Sequence, residues 1–532
     1  LRRFNLLKTG AVASLATAIG AAGCAGQDSG VRTPEGGYSV ATTEPDHLTP
    51  GRTVTSMDPI HALFAPLVTV RDSGKLGYVQ AKSVTSRDSR HWTIRLREGW
   101  TFHNGEPVTA RSYADSWNHA AYGPNAWSTN GQLAGIEGYA ALNPTKGKAK
   151  PARRTLSGLR VADRYTLKVT LRAPDSQFPY QLTDNQGAFF PLPKAAFSDP
   201  RAYDRRPAGN GPFRMTAAWK RNRGAALVAY RGYRGPKPAA SGLTFKSYTD
   251  MSTAYTDALA GNTDVLAVPP DKFGQVRRDF PDRVHRYEAP SMELLSLPLY
   301  DKRFRDPRLR RALSLAINRK AVNKAMYGGM NTPATSLVPP VAVGAETGVC
   351  DDCRYDPRRA RALLKRAGGW RGPLVLTYPG GLGLDEVYRA LANQLRQNLG
   401  IDGARAQPTA DWAEFSDKVY GKKLPGPFYG HWGALYPSMQ NTLRGIFTKS
   451  GGCWTCSFYS HPDVDKLLAR ADSSTDSRHA AALYNASQRR ILEDFPTIPL
   501  FYGSYVYATT ERITGAAIGP FGLRLERIEI GT

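Results

Sequence analysis

Trp92, Ile94 and Leu96 alternate with Thr93, Arg95 and Arg97. That period of two predicts a half-buried strand. Glu98-Gly99 and Asn104-Gly105 follow as turn signals, since glycine and asparagine tolerate positive φ. Thr109 is placed to cap a helix in which Tyr113 and Trp117 share a face at i, i+4. Further strands are predicted at residues 38–45, 164–171, 242–248 and 264–268, with a helix at 250–260 between the last two. Residues 304–322 carry Leu309, Ala312, Leu313, Ala316 and Ile317 on one helical face, with Asp306 and Pro307 suited to its start. Residues 355–368 predict another helix with an acidic start and a glycine stop. Residues 291–297 and 494–507 are strand-like and rich in aliphatic and aromatic side chains. Strands alternating with helices predict the α/β class.

At 532 residues the chain is too long for one growing core, so two or three lobes are expected. No internal apolar run reaches eighteen residues. The formal charge of +26 invites a nucleic-acid reading. The basic residues are dispersed, however, and the dense clusters at 303–311 and 358–366 sit on helix-like segments beside acidic residues. No zinc-finger pattern and no basic stripe with interleaved aromatics is present. A solvated basic surface, or attraction to an anionic envelope component, explains the charge without nucleic acid.

The first residues read as an address. Arg2, Arg3 and Lys8 form a basic region, residues 11–22 a short apolar one, and small residues lead to Cys24. This is a secretory signal over 1–23, too short to span a membrane. Ala21-Ala22-Gly23-Cys24 resembles a bacterial lipobox, which implies lipidation of Cys24. Residues 2–8 also resemble a twin-arginine export signal. The small, polar stretch 24–37 then serves as a flexible tether. The expected location is the outer face of the cytoplasmic membrane, through a lipid anchor.

Of five cysteines, four remain as two C-x-x-C pairs, Cys350/Cys353 and Cys453/Cys456. Three readings stand: local disulfides, crossed disulfides, or a zinc site built from all four thiolates. Crossed bridges would each close a loop of about 100 residues, contributing up to roughly 4–5 kcal/mol.

No G-x-S-x-G elbow, H-E-x-x-H, P-loop or G-x-G-x-x-G after a strand occurs. The histidines are scattered, and His103 sits in a turn. Nothing supports an enzyme or a cofactor, and outside the two C-x-x-C pairs nothing points to a metal.

Trp92, Thr93, Leu96, Arg97, Gly99, Phe102, Gly105, Pro107, Val108, Thr109, Ala110, Ser116 and Trp117 match the signature W-T-x-x-L-R-x-G-x-x-F-x-x-G-x-P-V-T-A-x-D-x-x-x-S-W. The chain thereby resembles bacterial extracellular solute-binding proteins of family five, the oligopeptide and dipeptide receptors of ABC importers. Ser112 stands where Asp is usual. Glu44, Pro45, Leu48 and Pro50 match E-P-x-x-L-D-P, and residues 209–213 match G-T-G-P-Y. Residues 304–322 resemble a family helix, 430–447 resemble W-x-A-D-Y-P-D-P-x-N-x-L, and 494–507 its P-x-I-P-L-F-Y strand. The resemblance covers residues 38–510 in order.

The resemblance implies a periplasmic-binding-protein-like α/β fold: two lobes, an interlobe ligand cleft and an additional α+β domain. Lobe one is expected from 38–80, 201–295 and 500–532, the additional domain from 81–200, and lobe two from 296–499. Hinges are expected around 294–300 and 498–502. The implied partners are a peptide or peptide-like solute, an ABC permease and its ATPase, with the receptor a monomer; the alternatives are the same fold carrying a non-peptide solute (a modified peptide, siderophore-like compound, sugar or metal chelate), or a surface signal sensor. In peptide-binding members the Asp of W-x-A-D-Y pairs with the peptide's α-ammonium; here Leu435 holds that position. A buried ammonium facing leucine would lose its partner. Glu44 or Glu293 could serve instead, or the ligand is more apolar or N-blocked. Trp432 matches a pocket aromatic and Trp127 falls near another. His431, Tyr436 and Tyr502 complete the expected ligand contacts.

Overall fold

The computed structural model describes residues 31–71, 74–144, 150–183, 185–449 and 457–531. Cys24, Cys453 and Cys456, and with them the expected lipidation site and the second C-x-x-C pair, lie outside the described residues.

Two strands of thirteen residues, Val284–Ser296 and Thr497–Thr509, organise the molecule. They pair antiparallel along their length and form the middle of an eleven-stranded sheet. On one side the sheet continues through Val265–Ala267, Gly37–Thr43, Gly242–Tyr248, Gly224–Ala229 and Phe213–Met215. On the other it continues through Phe428–Gly433, Leu374–Tyr378 and Ala404–Pro408, and the short strand Thr332–Pro333 pairs with Thr497–Thr509 as the eleventh. The strands of the first half therefore hydrogen-bond to those of the second only through the long pair. That pair's register shifts twice, between Glu288 and Met292 and between Glu293 and Leu294. The second shift adjoins the stretch 294–300 expected to bend, where Leu294, Leu295 and Ser296 pair with both Phe428–Gly433 and Thr497–Thr509.

The predicted strand at 92–97 is His91–Leu96, with Trp92, Ile94 and Leu96 buried. It belongs to a separate four-stranded sheet with Ala81–Thr85, Thr166–Thr170 and Leu159–Asp163. This accessory unit has its own core, which includes Trp100, Phe102, Tyr113 and Trp117. Gly99 and Gly105 turn at φ of 79° and 87°, which only glycine adopts cheaply. The helix Ala110–Ala121 starts at Thr109 as predicted, and the Thr109 N–H donates to Ser112 Oγ at 3.2 Å. Ser112 so serves the turn where the family's Asp is usual.

Two motifs distant in sequence meet below this unit. His103 of the FHNG turn approaches the Gly211 carbonyl at 3.2 Å through Nε2, and burial pushes its imidazole down to about 4. Gly209 and Gly211 lie against the Leu63 carbonyl, where a Cβ would clash at 1.8 and 2.7 Å. The histidine is a buried structural contact.

Residues 304–322 form two helices, Pro307–Leu315 and Arg319–Tyr327, where one was predicted. Asn318 caps the second by accepting from Ala321 N at 3.0 Å. Arg319, buried, donates to the carbonyls of Ser314 (3.1 Å), Ile317 (3.3 Å), Cys353 (2.8 Å) and Pro499 (2.7 Å). The first helix ends because its last carbonyls turn to this guanidinium.

Cys350 and Cys353 form a disulfide across Cα atoms 5.3 Å apart. This overturns both the crossed pairing and the zinc site for these two sulfurs, because the short turn Asp351–Cys353 brings them to each other. Among the described residues no cluster of three or more His, Cys, Asp or Glu could hold a metal, and no helix is long and apolar enough to cross a membrane.

Candidate functional site

Trp432 and Gly433 end the strand Phe428–Gly433, and the chain then turns through Leu435 and Tyr436 into the helix Met439–Phe447. Ser438 caps that helix, accepting from Gln440 N at 3.2 Å. One side chain organises the turn: Asn441 Oδ1 accepts from Trp432 Nε1 at 3.1 Å and from Leu435 N at 3.3 Å. The indole lies flat against Gly445, where a Cβ would come within 2.1 Å of the ring. The sequence therefore fixes Trp432 from both sides, by a small residue below and an amide at its edge.

These residues face a cavity of about 650 Å³ between the second half of the sheet and the accessory unit. Trp432, Leu435, Tyr436, Asn441 and Arg444 form one wall; Gly131, Gly135, Arg172, Asp175 and Gln181 form the other. The volume suits a drug-sized or small-peptide solute. Leu435 is 39% exposed and presents an apolar side chain to the cavity.

At the cavity's deep end two carboxylates from different units approach one another. Asp175 Oδ1 and Asp472 Oδ1 accept from the same Gln440 Nε2, at 2.8 and 2.9 Å. Asp175 also accepts from Gln177 N (2.9 Å) and Gln181 Nε2 (2.7 Å). Asp472 accepts from Tyr484 OH at 2.5 Å and Arg444 Nε at 2.6 Å. Burial, with the Asp472 charge adding to it, pushes the Asp175 carboxyl up to about 6. Ser438 Oγ donates to Gln177 Oε1 at 2.7 Å, and Ser176 N donates to the Asp472 carbonyl at 2.7 Å. Both acids lining the cavity are thus saturated with donors and already serve the contact between the two units.

The other expected residues lie elsewhere. Glu44 accepts from Trp219 Nε1 (3.1 Å), Asn222 N (3.0 Å) and Ser247 Oγ (2.6 Å), all in the first half, and is outside this cavity. Trp127 packs over Gly51 and against His119, joining the accessory unit to the first half of the sheet. Tyr502 is a core anchor: its hydroxyl takes the N–H groups of Thr335 (3.2 Å) and Ser336 (2.8 Å) and donates to the Ser336 carbonyl. None of these three lines the Trp432 cavity. Glu293 accepts from Tyr327 OH at 3.0 Å, and burial pushes its carboxyl up to about 7. It pairs in register with His431, whose ring stacks on Tyr429 and is pushed down by burial. In a strand, neighbours point to opposite faces. Glu293 and His431 therefore occupy the face opposite to Trp432 and Met292. Of the eight expected contacts, the structure gathers Trp432, Leu435 and Tyr436.

Asp175, Gln181, Gln440, Arg444 and Asp472 were not singled out by the sequence. Asn441 had a signal, since it stands at the Asn of the W-x-A-D-Y-P-D-P-x-N-x-L pattern.

Residues 77–453 match the family described as bacterial extracellular solute-binding proteins, family 5 Middle. The glutathione-binding protein GsiB of Escherichia coli K12 is 27% identical over 473 residues, 84% of each chain. The unliganded open form of the periplasmic murein tripeptide-binding protein MppA superposes with a TM-score of 0.79 at 24% identity, covering 93% of this chain and 97% of that one. Haemophilus influenzae OppA in complex with RPPGFSPFR gives 0.71 at 20% identity, covering 94% and 100%.

Proposed function

The chain belongs to the family 5 bacterial extracellular solute-binding proteins, and on that premise we propose that it captures a peptide or peptide-like solute for an ABC importer. The ligand enters the Trp432 cavity and is handed to the permease, the receptor being held at the outer face of the membrane through lipidated Cys24. The relatives bind glutathione and a peptide by name, which supports a peptide-like ligand. The two bodies that close on the ligand are residues 38–80, 201–295 and 500–532 on one side and 296–499 on the other, with 81–200 as the additional domain. A hinge at the register break between Glu288 and Met292 fits this division.

The observation that carries the reading is the wall Trp432–Leu435–Tyr436, fixed by Asn441 and facing an open-sided space of peptide size. The same wall supports a narrower choice. Leu435 offers no charge, and Asp175 and Asp472 are spoken for by Gln440, Gln181, Arg444 and Tyr484. A free α-ammonium has no unengaged carboxylate there, so the ligand presents an apolar or blocked end to Leu435. Mass spectrometry of solute retained on the purified protein identifies the ligand class directly. Calorimetry with free and N-acetylated tripeptides tests the narrower choice: equal or tighter binding of the acetylated forms is expected. Tight binding confined to free amino termini overturns it.

A further inference from the structure

The strand Gly242–Tyr248 buries Leu243 and Phe245 in the core on one face. Its other face carries Thr244, Lys246 and Tyr248. The segment that begins the described chain crosses this face, with Thr244 Oγ1 donating to the Arg32 carbonyl at 3.5 Å. Beside it the turn Lys220–Gly224 is locked by Arg223 N donating to the Lys220 carbonyl at 2.9 Å, with Asn222 at φ 56°. This turn holds Arg221 and Arg223 out into solvent. Together Arg32, Arg221, Arg223 and Lys246 line one concave surface of about 1050 Å³.

The local charge is cationic. Asp257 lies at the margin and is occupied by Tyr248 OH at 2.8 Å, and Glu44 beneath is held by Asn222 and Ser247. None of the ion pairs among the described residues uses Arg32, Arg221 or Arg223. The position along the chain matters as much as the charge. Val31 lies seven positions after Cys24. Fully extended, that length of chain reaches at most roughly 25 Å.

We propose that this basic face docks on the anionic phospholipid headgroups of the membrane that carries the anchor. The proposal rests on the reading of Cys24 as lipidated. Given that anchor, the tether cannot take Arg32 far from the bilayer, and the arginines beside it meet phosphate oxygens at short range. Guanidinium groups suit phosphate because their paired N–H donors match two of its oxygens. Attraction of dispersed surface charge is screened within about 8–10 Å in physiological salt, so only a face held near the headgroups profits from it. The result is one preferred orientation of the receptor on its tether.

The test uses the full chain with Cys24→Ser, so that only the face can bind. Co-sedimentation is measured with vesicles of phosphatidylcholine alone and mixed with phosphatidylglycerol. The triple variant Arg32→Glu, Arg221→Glu, Arg223→Glu is compared with Arg358→Glu, Arg361→Glu, Arg366→Glu, which changes net charge equally on an exposed helix elsewhere. Binding to the phosphatidylglycerol vesicles is expected to fall about tenfold or more in the first variant and little in the second. Equal losses in both, or binding indifferent to phosphatidylglycerol, overturn the proposal. Retention of a soluble polyanion in place of vesicles also overturns it, in favour of an anionic wall polymer. Mass spectrometry of Cys24 in the wild-type protein reads the anchor separately, and ligand calorimetry on both variants reads the receptor function separately.

Discussion

Asp175 and Gln440 are joined by a 2.8 Å hydrogen bond although 265 positions separate them in sequence. The bond ties the accessory unit to the second half of the main sheet at the inner end of the cavity. The same amide nitrogen reaches Asp472, so a single neutral side chain stands between two carboxylates.

This arrangement predicts a pH effect. The Asp175 carboxyl is raised to about 6 by burial and by Asp472. An unfolded aspartate titrates near 3.9. Between these values the folded protein holds more protons than the unfolded one, so stability falls as pH rises from about 4 to about 6. Asp175→Asn removes the charge, and the Gln181 amide can turn over to keep its bond. At pH 7 this variant is expected to gain up to about 2–3 kcal/mol, and its urea midpoint should lose its slope between pH 4 and 6. An unchanged slope would place the titrating group elsewhere.

Leu435→Asp places a carboxylate where the W-x-A-D-Y pattern has its Asp. Calorimetry should then show a gain of about tenfold or more for free amino termini over N-acetylated peptides. Leu435→Asn, of similar shape without charge, should give no such preference.

Gly445→Ala places a methyl group 2.1 Å from the Trp432 ring. The indole must leave its seat and its bond to Asn441. A stability loss of about 1–3 kcal/mol is expected, with a changed tryptophan emission and weakened ligand binding. Gly131→Ala, at the opposite wall, meets nothing within 4 Å and should leave stability unaltered.

Arg319→Met keeps bulk but strands the carbonyls of Ser314, Ile317, Cys353 and Pro499. A loss of about 3 kcal/mol or more is expected by chemical denaturation. Arg319→Lys should recover only part of it, since one ammonium cannot span the same fork of acceptors.

Much of the fold was legible because period and punctuation agreed. The alternation around Ile94, the glycine turns at 99 and 105 and the cap at Thr109 each appear where the residues place them. The break after Leu315 was not legible, since Ala316 and Ile317 continue an apolar helical face. What interrupts it is Arg319, whose acceptors on Cys353 and Pro499 come from distant segments. The site was legible only in part for the same reason. Trp432, Leu435 and Tyr436 lie on one continuous segment with a recognisable pattern. Asp175 and Asp472 are single acids in unremarkable surroundings until folding brings Gln440 between them. Tyr502 and Trp127 carried an aromatic signal that the structure uses for packing, with Thr335 and Ser336 for one and Gly51 for the other.

The long strands Val284–Ser296 and Thr497–Thr509 run unbroken from one half of the molecule to the other, so no slack loop separates the two. Any swing of one half against the other has to twist a hydrogen-bonded ribbon. Such a ribbon works as a torsion spring: its stiffness is written into the few residues between Glu288 and Leu294 where the ladder slips twice. Small side chains at Ala289, Ser291 and Gly503, the last close enough that a Cβ would strike Ser291, keep that spring thin. The slip residues Ser291 and Met292 pair with Gly433 and Trp432, so a twist of the ribbon is felt directly by the wall that faces the cavity.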